Sequence, residues 1–355
     1  WGIASIAGPI VGGYMTDHLS WRWVFWINLP IAAIAMLLCE RGLRILHTRR
    51  QRSRIDFAGA GLLTGGITAW LLVLSGSDSL GALLAPDNLA LAATGAILFA
   101  LLVVQERRVP DPLLPPRLFR IGEFVRGVAI AFLAALGLFA ATFLLPLYFQ
   151  LVRGADAGSS GALVVPFLAA NVVASYLAGA STRRLGRTRV ILATGLAACA
   201  IGFWLLGLTA AGAPEIATVL CSAVVGAGVG AVMPVVTVVV QNAIERRDIG
   251  SGTGALLFLR SMGGAFGSTL AGVLLIGRFD AGIQALQPPL HIDLGALRGG
   301  GAALAGLTAA AHAAAVAALS SGFRIAFWTC AALSAVGVAV AATMRDVPLQ
   351  SVRQD

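Results

Sequence analysis

Few side chains in this sequence could cooperate to make or break a covalent bond. The four histidines (His18, His47, His291, His312) are scattered, and Cys39, Cys199, Cys221 and Cys330 lack metal-ligand spacing. A hydrolytic or redox centre needs clustered His, Asp, Ser or Cys, so enzyme chemistry is not expected and no metal site is assigned. What stands out instead is a set of isolated polar groups inside apolar runs. Arg260 lies in LLFLRSMGG, Gln150 ends FLLPLYFQ, Asn171 sits in AANVVAS and Asn28 follows WVFWI. Such groups can hydrogen-bond a small molecule or join two helices, the latter worth about 1 kcal/mol in a membrane. Arg260 is the most informative of them. A charge near mid-bilayer costs at least about 2.5–3.5 kcal/mol on insertion scales. It should therefore face a cavity or switching surface, or else snorkel toward helix-end carbonyls. No Asp or Glu falls in the middle of an apolar run.

These groups are carried by a chain that is 58% hydrophobic and 12% charged, with a mean hydropathy of +0.88 over 355 residues. Soluble domains carry about twice that charged fraction. The composition predicts an all-α integral membrane protein. Runs of about 17–25 apolar residues mark spans, and ten can be read, near 2–16, 23–39, 57–75, 88–105, 125–149, 159–180, 190–210, 216–240, 251–276 and 323–344. The cysteines read as small buried hydrophobes.

The net charge of +9 comes from arginine alone. Arginines crowd 40–55, 106–124 and 181–189, with Arg246, Arg247, Arg345 and Arg353 further on, whereas 76–87 and 211–215 have none. The positive-inside rule puts the rich segments in the cytoplasm. Ten spans then leave both ends of the chain cytoplasmic, in the cell membrane. Nucleic-acid binding would need a basic face on a soluble module and is not expected. Residues 302–319 imitate a span, but they are mostly Ala around His312, so an amphipathic or lateral helix in an external loop is expected there.

Glycines set the expected packing. Gly8 and Gly12 are four apart, as are Pro9 and Gly13, so small residues share a helix face that a neighbour can approach closely. VVGAGVGAVMP at 224–234 predicts another closely packed helix, bent at Pro234. GSGTG at 250–254 looks like a dinucleotide loop, but no strand precedes it, and close helix packing is the better reading. Trp21, Trp23 and Trp26 suit an interfacial belt. Asp56 suits a helix N-terminus, and Glu215, Asp17 and His18 suit solvated turns.

The first of these elements also carries a resemblance. GPIVGG at 8–13 followed by LSWRWVFWINLPIA at 19–32 resembles the fifth and sixth spans of the fourteen-span drug:proton antiporters of the major facilitator superfamily. RIDFAGAGLLT (54–64), PLLPPRLFR (112–120), FLLPLYFQ (143–150) and GSGTGALLFLRSMGGAFG (250–267) match in order. The resemblance implies that 1–39 holds the last two spans of an N-terminal bundle and 40–55 a cytoplasmic basic loop. It implies an extra central helix pair over 56–106, a cytoplasmic loop over 107–124, a C-terminal six-helix bundle over 125–346 and a tail over 347–355. Four spans, with the family's proton-coupling acid and an Arg, would lie ahead of Trp1. Gly8, Pro9, Gly12 and Gly13 match the antiporter motif, and Asn28 the sixth-span Asn. GASTRRLGRTR at 179–189 resembles the family's cytoplasmic gate loop through Arg183, Arg184, Gly186 and Arg187, but Arg183 occupies its acidic position. A gating role there competes with a plain topology-setting loop.

The function so implied is secondary active transport: proton-driven efflux of hydrophobic or cationic small molecules, such as drugs or antibiotics, by alternating access. It needs no cofactor beyond the proton gradient, and a monomer in the lipid bilayer suffices. Metabolite uptake by the same fold and a non-transporting gene remnant stay open as alternatives. Without its first four spans the chain is not expected to transport alone.

Overall fold

The computed structural model describes residues 8, 11, 12, 14, 15, 19, 20, 22–45, 56–75, 85–109, 112–210, 212–284 and 309–345. All regular structure among them is helical. The helices are α1 (Trp23–Trp26), α2 (Asn28–Ile45), α3 (Phe57–Ser75), α4 (Pro86–Glu106), α5 (Gly122–Leu151), α6 (Ala157–Leu185), α7 (Thr188–Thr209), α8 (Glu215–Asn242), α9 (Ile249–Gln284) and α10 (Ala309–Ala342). Eight stretches are long and apolar enough to cross a bilayer, and Phe57–Val73 is a shorter apolar helix. The chain is thus a multi-pass membrane protein, and nine of the ten expected spans have a described helix. The expected first span, with Pro9, Gly13, Asp17 and His18, lies largely outside the described residues.

Local signals explain several boundaries. Asp56 starts α3, its Oδ1 accepting the Gly59 N–H at 2.9 Å. Pro86 opens α4, where its missing N–H costs nothing. Asp156 caps α6, accepting the Ser159 N–H at 2.6 Å. Gly186 ends α6 with φ +63°, a left-handed conformation that suits glycine.

Two expectations need correction. α2 runs to Ile45, so the first turns of the expected basic loop 40–55 continue the span helix. Residues 309–319 are not a lateral helix. They are the opening turns of α10, which runs unbroken through Ser320, Ser321 and Gly322 to Ala342. The reason is packing: Ala315 and Leu319 are buried in the same apolar cluster as Phe279 and Ile283 of α9.

Helices α5–α10 form a bundle in which α6 packs on α8, α5 on α9, α7 on α8 and on α10, and α9 on α10. Its core has two apolar clusters. One gathers Tyr148, Phe149, Phe167, Phe203, Phe323 and Phe327, the other Phe124, Ile130, Leu192, Val232 and Val236. The α3–α4 hairpin packs on α9 from outside.

In lipid, helices gain nothing by hiding apolar surface from each other, so close backbone approach must hold them. The glycines show where. A Cβ at Gly226 would overlap the Phe167 carbonyl oxygen, and one at Gly230 that of Asn171. On the opposite side, Gly263 and Gly267 lie as tightly against the Phe132 and Leu136 carbonyls. Gly228 meets α7, where a Cβ would stand only 2.6 Å from the Gly195 carbonyl oxygen. The close packing expected at 224–234 is present. In GSGTG only Gly252 is crowded, by Ile244 and Phe124, whereas Gly250 and Gly254 face open space. Gly8 and Gly12 also face open space, so the close approach expected of them has no counterpart among the described residues.

Candidate functional site

A cavity of about 720 Å³ opens among α5, α6, α8 and α9. Its wall repeats at helical spacing. α9 contributes Arg260, Gly264 and Ser268, α6 contributes Asn171 and Ser175, and α8 contributes Gly230, Pro234, Met233 and Thr237. Each helix thus presents one stripe of positions four apart. Leu138 and Phe139 of α5 complete the wall. The volume suits a drug-sized molecule.

Arg260 lies about 16 Å along α9 from its start, near half the thickness of a hydrocarbon core. It is half-buried and lines the cavity. Among the described residues no carboxylate lines this cavity or pairs with Arg260. The arrangement therefore presents one guanidinium, several hydroxyls and a largely apolar wall. It can bind and orient a small molecule, and it contains no nucleophile–base pair. Among the described residues no group of His, Cys, Asp or Glu could hold a metal ion.

The other expected site residues divide. Asn171, 3% exposed, borders the cavity while its Nδ2 donates to the Gly226 carbonyl at 3.3 Å. It both joins α6 to α8 and edges the site. Gln150 is not part of this wall: its Nε2 donates to Ser160 Oγ at 2.8 Å, tying the end of α5 to the start of α6. Asn28 is exposed, and its Nδ2 donates to the Val24 carbonyl one turn back. For both, joining helical structure is the reading the geometry favours over cavity lining. Arg183, Arg184 and Arg187 are exposed around the Gly186 turn, with no ion pair among the described residues. Cys199 and Cys330 are buried and Cys39 is exposed, all as free thiols.

Ser175, Thr237, Ser261, Ser268 and Phe139 also line the cavity, and none of them stands out in the sequence. A signal exists nonetheless: Ser268 lies two turns from Arg260 on the same stripe, and Ser175 one turn from Asn171. An apolar hollow of about 540 Å³ between α5 and α9 meets the cavity at Ser268, lined by Phe143, Pro146 and Thr269 among others.

At one end of the bundle Arg153 closes the turns. Its guanidinium donates to the Ala213 carbonyl, its Nε donates to Tyr148 Oη at 3.2 Å, and its charge lies 5.5 Å from the Tyr148 ring centroid. At the other end Arg117 pairs with Asp248 at 2.5 Å, fastening the 112–120 segment to the start of α9.

Comparison with known proteins agrees with this architecture. Residues 1–268 match the family model described as Major Facilitator Superfamily. The chain is 32% identical over 280 residues to the multidrug transporter protein MdtP of Bacillus subtilis, covering 78% of this chain and 51% of the relative. It is 28% identical over its whole length to an uncharacterized MFS-type transporter, Rv1877, of Mycobacterium tuberculosis, and 32% identical over 283 residues, 77% of the chain, to the MFS efflux transporter aclA of Aspergillus oryzae; each alignment covers 51% of the relative. The chain spans about half the length of these curated relatives. A family match over three quarters of the sequence, on an all-helical multi-pass fold with a central cavity, leads to one assignment: the chain belongs to the Major Facilitator Superfamily.

Proposed function

We propose that the protein carrying this chain is a secondary active transporter that exports hydrophobic or cationic small molecules from the cell, driven by protons moving inward. The observation that carries this reading is the cavity shared by α5, α6, α8 and α9, apolar in most of its wall and drug-sized. The printed name of one relative, an efflux transporter, supports the outward direction, and that of another, a multidrug transporter, supports the substrate class. No carboxylate lines this cavity among the described residues. On this reading the proton-carrying acid belongs to spans outside this cavity, as the resemblance to the fourteen-span antiporters implies.

Within this proposal the protein is a fourteen-span antiporter acting as a monomer in the cell membrane without a cofactor. The α3–α4 hairpin is its extra central pair, packed on α9 outside the six-helix bundle. Both ends of this chain, and the arginine-rich connections, face the cytoplasm.

A second substrate reading follows from Arg260. A guanidinium without a partnering carboxylate repels a cation and attracts a carboxylate or sulfonate. It favours substrates that carry an acidic or neutral polar group on an apolar body. Everted vesicles holding the full-length protein test both readings. Substrate-dependent proton movement is expected, and none would remove the antiport proposal. Arg260→Ala should abolish transport of anionic amphiphiles while sparing cations if the second reading holds. Loss of cation transport alone would exclude it.

A further inference from the structure

The strongest unassigned feature lies away from the cavity, where α3 begins and α4 ends. Asp56 is 7% exposed and Glu106 4%. Asp56 Oδ1 accepts the Gly59 N–H at 2.9 Å and Gln105 Nε2–H at 3.1 Å. Glu106 Oε2 accepts the Leu114 N–H at 3.1 Å. The second oxygen of each, Asp56 Oδ2 and Glu106 Oε1, is buried with no hydrogen-bond partner. The two converge on one spot: a Cβ at Gly59 would overlap Asp56 Oδ2 and stand 3.4 Å from Glu106 Oε1.

Two carboxylates brought together out of water do not both stay ionised. An unmet buried acceptor is itself destabilising, more so when charged. A single proton between the orphaned oxygens relieves both problems. We infer that Asp56 and Glu106 form a proton-binding site, with the proton carried on Glu106 Oε1 and donated to Asp56 Oδ2. The helix ends decide which group keeps it. Asp56 stands at the positive N-terminal end of α3 and accepts two N–H groups. Glu106 stands at the negative C-terminal end of α4.

The charged neighbours leave this assignment in place. α3 carries no other charged side chain, and α4 only Asp87, at its far end. The following segment brings Arg107, Arg108, Arg117 and Arg120, and α9 brings Arg260, Arg278 and Asp280. Arg117 is committed to Asp248, and Arg260 faces the cavity. Among the described residues no guanidinium pairs with Asp56 or Glu106. A carboxylate holds the Leu114 N–H more strongly than a carboxylic acid does. The proton that joins Glu106 to Asp56 therefore loosens the segment between α4 and α5, and deprotonation fastens it onto the hairpin.

This site stands apart from the transport reaction and is tested without it. Hydrogen–deuterium exchange of the 107–120 peptide is followed in nanodiscs, with rates corrected for intrinsic exchange, from about pH 5 to about pH 9. Wild-type protection at Leu114 should rise roughly tenfold over that range, the equivalent of about one unit of titration. Glu106→Gln mimics the protonated form and should keep the lower protection at every pH, while Glu106→Ala should be unprotected throughout. The infrared band of a protonated carboxyl should be present in wild type and missing from Glu106→Gln. Protection that ignores pH in wild type, or an unchanged infrared band in Glu106→Gln, overturns the inference. So does protection that depends on sodium rather than choline at fixed pH, which would make the ligand a metal cation.

Discussion

The bundle and the α3–α4 hairpin use glycine in different ways. In the bundle, Gly226 and Gly230 meet the carbonyls of Phe167 and Asn171 on α6, and Gly263 and Gly267 meet those of Phe132 and Leu136 on α5. Both seams pair positions four apart with positions four apart, backbone against backbone. In the hairpin, Gly95 faces the Trp70 ring, Gly65 faces Leu98 and Gly66 faces Phe99. There the neighbour is a side chain that can turn. Backbone contact allows no adjustment, so the seams hold α6–α8 and α5–α9 as fixed pairs around the cavity. The hairpin can adapt without losing its contact.

The largest expected effect breaks the seams. Gly230→Ala drives a methyl into the Asn171 backbone, an overpacking that costs about 1–3 kcal/mol or more, and Gly263→Ala should cost as much against Phe132. Thermal unfolding in one detergent compares them. If either substitution is tolerated, the two seams are not equivalent. Asn171→Ala is the next step down, because it removes only the hydrogen bond to the Gly226 carbonyl. It should cost about 0.6–1.7 kcal/mol, the range measured for interhelical bonds in membranes. Gly95→Ala in the hairpin should fall below about 1 kcal/mol in either direction, because alanine is the better helix former by about that amount. Half-buried Trp70 can swing aside to admit the methyl. A loss as large as that of Gly230→Ala would erase the contrast between the two regions.

The smallest effect belongs to the exposed cap of α6. The Ser159 backbone N–H, and then its hydroxyl, hold Asp156 below the usual carboxylate range. Its contribution is present above that range and is lost as pH falls through the lowered value. Protection at Ser159 and Ser160, corrected for intrinsic exchange, should fall as the solution is made acid, and Asp156→Asn should remove most of that dependence.

Much of this architecture is legible in residue order. Apolar run length marks the spans, Asp56 before FAGAG marks a capped helix start, and VVGAGVGAVMP marks a close-packed helix. These are local signals, carried by a helix's own sequence. The failures are long-range. Residues 302–319 read as separate from the last span, yet 309–319 open α10 because Ala315 and Leu319 find Phe279 and Ile283 across the bundle. For Gln150 both substrate contact and helix joining stay open in the sequence, because nothing in FLLPLYFQ announces Ser160 as its partner. The approach of Asp56 and Glu106 spans two helices and their connection, and only the folding back of the hairpin creates it.

The lengths of α9 and α10 have a practical consequence. At 36 and 34 residues they reach about 54 and 51 Å, against a hydrocarbon core of about 30 Å. Their adjoining ends stay packed: a Cβ at Gly282 would stand 2.8 Å from the Ala318 methyl, and Ile283 and Ala315 remain buried. The surplus length has to be taken up by tilt or by projection beyond the hydrocarbon core, and the packed end gives it a firm base. An antibody fragment or fluorophore grafted there would act as a rigid landmark for imaging the whole protein.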